Sequence, residues 1–135
     1  MTAKSLVGIS TTLLIASAAS LGTLSGAPAR GDEKVDYPTQ VRPILEAYCY
    51  ECHGPEVEEP DAGLRLDRRE TAFVDLGGYD NIVPGDPDDS ELYLRVDAEF
   101  EEDRMPPYEA GTELTDEQIE TIRLWIQQGA EWVDD

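Results

Sequence analysis

Both cysteines of this 135-residue chain and its only histidine fall within five positions, Cys49-Tyr50-Glu51-Cys52-His53. Two thiols three residues apart on one turn can reach the two vinyl groups of a single porphyrin. The next residue then carries its imidazole under the iron. Cys-x-x-Cys-His is the attachment signature of c-type haem. Three other readings compete with it. A Cys-x-x-Cys pair can cycle as a redox disulfide, but the thioredoxin-like version rides on a βαβ unit, which this sequence lacks. Zinc needs a fourth ligand, and the chain has no further Cys or His. Coincidence is the last reading, and the scarcity of these residue types argues against it.

Beyond Met1 the chain has one methionine, Met105, set in Arg104-Met105-Pro106-Pro107. A thioether opposite His is an axial pair for haem iron and raises its reduction potential. The ordinary role of a lone Met is core packing. A polar loop stiffened by two prolines offers little to pack on, and it holds the sulfur at small entropic cost. With both axial positions taken, the iron has no place for substrate or oxygen, which points to outer-sphere electron transfer. With Met105 off the iron, the sixth site is labile, and a haem peroxidase or gas-binding module is the alternative.

Several elements must position these groups. A helix is expected from about Pro38 to Tyr48, with Val41, Ile44, Leu45 and Tyr48 as its buried stripe. Pro43 moves its regular start toward Arg42 or kinks it. Residues 54 to 63 read as a loop, Leu64-Arg65-Leu66 alternates like a short strand, and Gly77-Gly78 marks a turn. Asp86-Pro87 is expected to open a second helix with Asp86 as N-cap and Leu92, Tyr93 and Val96 as its apolar face. Asp97 to Asp103 is strongly acidic and must be solvated. The clearest element is the last helix. Thr115 caps it, Gln118 completes a capping box, Leu114 staples onto Ile119, and Gly129 closes it. Ile119, Ile122, Trp125 and Ile126 form its buried face. The expected architecture is mainly α with few helices and long loops, and its apolar supply is thin for about a hundred residues.

Thirty Asp and Glu against 10 Lys and Arg give a formal charge of −20 and a pI near 4.1. No basic stripe is available for nucleic acid, and anionic headgroups are repelled. Length allows a single domain. Lys4 is the only charge between Met1 and Ala29; an apolar run and Ala27-Pro28-Ala29 follow it. These describe a secretory signal peptide over 1–29, cut after Ala29, with an uncleaved membrane anchor as the rival. A linker over 30–36 and a domain over 37–133 follow. Either way the domain is expected in the periplasm or otherwise outside the cytoplasmic membrane, with membrane contact only through an uncleaved leader.

The sequence resembles the planctomycete-type cytochrome c domain, within the class I cytochromes c. The likeness runs through Val41-Arg42-Pro43-Ile44-Leu45, the Cys49–Gly54 stretch, Gly63-Leu64-Arg65-Leu66-Asp67 and Ile82-Val83-Pro84-Gly85-Asp86-Pro87. It continues with Ser90-Glu91-Leu92, Arg104-Met105-Pro106-Pro107, and Leu114-Thr115 running into Trp125-Ile126 and Gly129-Ala130. The resemblance covers about residues 36 to 133. It implies a class I cytochrome c-like fold wrapped around one covalent haem c, with first and last helices packed together. It implies Cys49 and Cys52 as thioether sites and His53 and Met105 as axial ligands. By analogy, the Pro55 carbonyl accepts from the His53 ring N–H. The function implied is that of a monohaem electron carrier; export is expected from the leader, and the chain is expected to be a monomer serving separate redox proteins.

Haem propionates need cations or donors, for which Arg65 and Arg104 are the first candidates, with Arg68, Arg69 and Tyr108 behind them. The bland reading pairs each arginine with a surface acid, and it is favoured for Arg68 and Arg69. Trp125 is expected against the haem or the first helix. Asp86, Asp88 and Asp89 lack the ligand order of a calcium loop and are explained by a helix start. The acid excess either steers a partner with a basic docking surface or serves solubility at high salt.

Overall fold

Proline placement decides how the first element begins. The computed structural model describes residues 33–134. The expected leader over 1–29 and the first part of the linker lie outside them. The Asp36 carboxylate accepts from the Thr39 N–H at 3.1 Å, and the chain makes one wide π-type turn, Tyr37–Val41. It then settles into α1, Arg42–Tyr48. Pro43 has no N–H to give, so a regular helix running through from Pro38 would lose a bond there, whereas the first turn of a helix owes none. The expected stripe is found: Val41, Ile44 and Leu45 are buried and Tyr48 is half-buried.

Four more helices follow. They are α2 (Tyr50–His53), α3 (Arg69–Ala72), α4 (Glu91–Val96) and α5 (Asp116–Gln127), with short 3-10 turns at Asp61–Gly63 and Tyr108–Ala110. Among the described residues there is no strand, only an isolated bridge between Asp75 and Asp80 around the Gly77-Gly78 turn. The architecture is small and mainly α, as expected.

Two local expectations are corrected. Leu64-Arg65-Leu66 forms no strand; the Leu66 N–H and the Leu64 carbonyl bond to His53, while the Leu64 N–H donates to Asp61 O. The second helix starts at Glu91 after Ser90, not at Asp86. The N–H groups of Glu91 and Leu92 donate to the carbonyls of Asp80 and Asn81 at 3.1 and 3.0 Å, so this helix start is closed by distant backbone. Ser90 is fully buried, its hydroxyl donating to the Asp86 carbonyl at 2.7 Å and accepting from the Val83 N–H at 2.9 Å.

The last helix follows its sequence signals. Thr115 Oγ1 accepts from the Gln118 N–H while Gln118 Oε1 accepts from the Thr115 N–H, a complete capping box. At the other end Gly129 N–H donates to Ile126 O and Ala130 N–H to Trp125 O, both at 2.9 Å, a Schellman closure. Gly129 takes φ +103°, which an L side chain resists.

One face of α5 packs on the Tyr37–Val41 turn and on α4. Ile122, Trp125 and Ile126 are buried there as expected; Ile119 is half-buried, and Leu124 is buried as well. Trp125 sits in an aromatic cluster, with ring centroids 5.6 Å from Tyr37, 6.2 Å from Trp132 and 6.4 Å from Phe73. Its indole N–H donates to Glu131 O at 2.8 Å. The two ends of the described chain are tied by Val35 N–H to Gln128 Oε1 at 2.7 Å, by Arg42 to Val133 O at 2.7 Å, and by a Lys34–Glu131 ion pair. At the far end of α5, Gln118 reaches Tyr48 OH at 3.3 Å, which ties the start of the last helix to the end of α1; the broader packing of α5 is on the Tyr37–Val41 turn and on α4.

Candidate functional site

The backbone around the cysteines makes one turn. Cys49 N–H donates to Leu45 O at 2.9 Å, which carries the end of α1 into the motif. Cys49 O then accepts from Cys52 N–H at 3.2 Å and His53 N–H at 2.8 Å. Spacings of three and four residues put Cys49, Cys52 and His53 on one side of this turn. Gly54 follows, and a side chain would not fit there: a Cβ would lie 2.4 Å from Tyr50 O and 2.6 Å from Tyr50 Cβ. The glycine lets the chain leave α2 directly over its own first residue.

His53 is held at two points by the extended segment that follows. Its ring Nδ1 lies 3.0 Å from Leu64 O, and its carbonyl accepts from Leu66 N–H at 2.8 Å. A carbonyl cannot donate, so Nδ1 carries the proton and Nε2 keeps its lone pair for a metal. The acceptor is Leu64, not Pro55. Arg65 and Asp67 lock the same segment: Arg65 Nε and Nη2 fork onto the Asp67 carboxylate at 2.8 and 3.0 Å. That guanidinium holds the Asp67 carboxyl below the usual carboxylate range. Leu66, between them, is buried.

Met105 comes from a different part of the chain. Its N–H donates to Arg95 O at 2.9 Å, and its side chain is 41% exposed. The Arg95 guanidinium bonds Glu91 Oε1 at 2.6 Å and Asp103 O at 3.2 Å. Residue 95 thus grips the loop twice, by its carbonyl at Met105 and by its side chain at Asp103.

Cys49, Cys52, His53 and Met105 all line one cleft of ≈ 260 Å³, whose walls include Leu64, Leu66, Leu76, Leu92 and Val96. Cys49 feels this apolar setting. Burial first, then the neighbouring Cys52 thiol, pushes its pKa up to about 12, so it stays protonated at neutral pH. Neither Arg65 nor Arg104 lines this cleft; Arg95 does. Arg65 is committed to Asp67. Arg104 lines an adjoining cavity of ≈ 320 Å³ together with Met105 and Pro106, pairs with Glu113 at 2.7 Å, and keeps a buried Nε without a partner. Trp125 is on the aromatic cluster and not on the cleft wall.

Residues 49–109 match the family described as planctomycete cytochrome C. This match supports a planctomycete-type cytochrome c domain. No curated protein and no solved structure matches it. The matched stretch of this cytochrome domain opens on Cys49 and closes just past Met105, so it holds the whole cleft motif set, while α1 and α5 lie outside it. The match suggests a haem-binding, electron-transfer protein and implies haem c, and the small, mainly-α architecture is consistent with a cytochrome c-like fold.

The residues present fit that group. Two thiols, an imidazole with Nε2 free, a thioether and apolar walls share one cleft, and a spare buried guanidinium donor lies beside it. Arg95 was missed by sequence reasoning because a Glu91-to-Arg95 spacing reads as a surface helix pair. Its place three residues after Leu92 and next to Val96, on the edge of the apolar face, was the available signal.

Proposed function

We propose that this protein is an exported monohaem c-type cytochrome that passes single electrons between separate redox proteins, with His53 and Met105 as axial ligands. The haem, when bound, supplies the one-electron iron couple. The chain supplies attachment, ligands and setting. Cys49 and Cys52 would hold the porphyrin as thioethers. His53, with Nδ1–H bound to Leu64 O, offers Nε2 in a fixed ring orientation, and that hydrogen bond makes it a stronger donor. Met105 favours the reduced state and raises the potential. The unpartnered Nε of Arg104 makes it the better candidate for a propionate; Arg65 would have to leave Asp67 to serve. One electron enters and one leaves, and no atom is transferred.

The single observation that carries this reading is the convergence of Cys49, Cys52, His53 and Met105 on one apolar cleft. The alternative, a labile sixth site suited to peroxide or a gas, draws on the 41% exposure of Met105. The grip of Arg95 on the Met105 loop favours the fixed ligand. Among the described residues no helix is long and apolar enough to cross a membrane.

The test is to mature the full chain with a cytochrome c assembly system. Mass spectrometry after denaturation should find one haem retained, and the oxidised protein should be low-spin with a sulfur-to-iron band. Met105→Ala should lose that band and drop in potential. An unchanged spectrum in the variant would refute the Met105 assignment, and high-spin iron in the parent protein would favour the labile site.

A further inference from the structure

Part of α4 and the loop after it carry apolar groups that the core does not use. Leu94 and Phe100 are 47% and 67% exposed, and with Ala98 they line one groove of ≈ 310 Å³. Single exposed apolar side chains are ordinary on a protein surface. Two that share one concavity beside a functional cleft form a patch that asks for a partner. The setting of Phe100 sharpens the point. It stands in Asp97-Ala98-Glu99-Phe100-Glu101-Glu102-Asp103, five carboxylates in seven residues with no base. Glu91 and Arg95 line both this groove and the cleft of His53 and Met105, so the two spaces share a wall.

We propose that this groove seats the redox partner, a protein that presents lysines or arginines around an apolar knob. The proposal rests on the electron-transfer reading above and gives it a docking face. Charge selects the occupant. A second copy of this chain would bring its own net −20, and an anionic membrane would be repelled by the same carboxylates. A basic protein finds attraction at the rim, which raises encounter rate and sets orientation. It finds Leu94 and Phe100 at the centre, where interface energy concentrates. Docked there, it lies one shared wall from the cleft, which keeps the electron path short.

The experiment measures electron transfer by stopped flow from a lysine-rich basic c-type cytochrome to the haem-loaded full chain, over a salt series. Phe100→Ser and Leu94→Ser should each slow the bimolecular rate about tenfold, the loss expected when an anchor at an interface centre is removed. Their absorption spectra, and their rates with a small inorganic reductant that needs no docking face, should match the parent. Glu99→Gln with Glu101→Gln should lower the rate and flatten its salt dependence. Parent-like rates in both apolar variants would overturn the groove, and slowing instead in a Glu58→Gln/Glu59→Gln pair, which does not line it, would place docking elsewhere. Concentration-dependent dimers abolished by Phe100→Ser would overturn it in favour of a second copy. A chain that retains no covalent haem would be distinguished at once by its spectrum and would overturn the underlying reading as well.

Discussion

Where the two ends of the described residues meet, Tyr37, Phe73, Trp125 and Trp132 pack ring against ring; around His53, leucines and a valine line a cleft instead. Both regions draw apolar side chains from short helices and from the loops between them. The aromatic region satisfies itself: Trp125 gives its indole proton to Glu131 O, and the Schellman turn closes α5 beside it. In the cleft region the polar positions face one another across a space, held from behind by backbone contacts at His53 and Met105. The difference teaches what each is for. A small chain with thin apolar supply closes one region by itself and shapes the other around a group of a different kind.

This contrast can be broken at its stronger side first. Trp125→Ala should cost about 3–5 kcal/mol of unfolding free energy, as large-to-small changes in aromatic cores do. The cost should be the same with or without haem, read by denaturant titration of both forms. A cost that appears only in the haem-loaded form would move Trp125 onto the cofactor.

The cleft side behaves differently. Leu64→Ala should cost under about 1 kcal/mol in the haem-free chain and about 2 kcal/mol in the loaded one, since only the loaded form gives that side chain full contact. Equal costs would show that the cleft walls belong to the ordinary core. Gly54→Ala should destabilise both forms by about 1–3 kcal/mol, because its Cβ meets the Tyr50 carbonyl at 2.4 Å and the chain must shift. The loaded form should also show a broadened or altered His-ligand signature, since His53 is the adjacent residue.

The smallest effect is a pH dependence. Arg65 lowers the Asp67 pKa in the folded state, so the ionised carboxylate adds stability above its unfolded pKa. That contribution should fade as pH falls through the folded value and be absent below it. Asp67→Asn should remove this acid-side slope. An unchanged slope in the variant would place the acid sensitivity elsewhere among the 30 carboxylates.

Local chemistry made much of this readable from sequence. The cap, the apolar period and the glycine stop of α5 are all within one stretch, and each appears as expected. Pro43 announced the break between the wide turn and α1 because its missing N–H is a property of one residue. Cys49, Cys52, His53 and Met105 stood out by scarcity. What failed to show depended on partners far along the chain. The start of α4 is closed by Asp80 and Asn81 carbonyls, which outcompete the Asp86 signal. Alternation at Leu64-Arg65-Leu66 reads as a short strand, and it does not reveal that the segment bonds to a histidine in place of a strand. For the same reason the ring acceptor is Leu64 and not Pro55. The cluster of Tyr37, Phe73 and Trp132 around Trp125 joins residues up to about a hundred positions apart, and no local pattern encodes it.

The central claim is that His53 and Met105 of one cleft are the axial pair of one haem. Proton magnetic resonance of the reduced, diamagnetic protein tests it most directly, because a methyl lying over a porphyrin face is shifted far upfield by the ring current. A single three-proton signal in that region, absent in Met105→Ala and unmoved in Trp125→Phe, is the result expected. A reduced protein without such a signal, or one whose signal survives Met105→Ala, would contradict the claim.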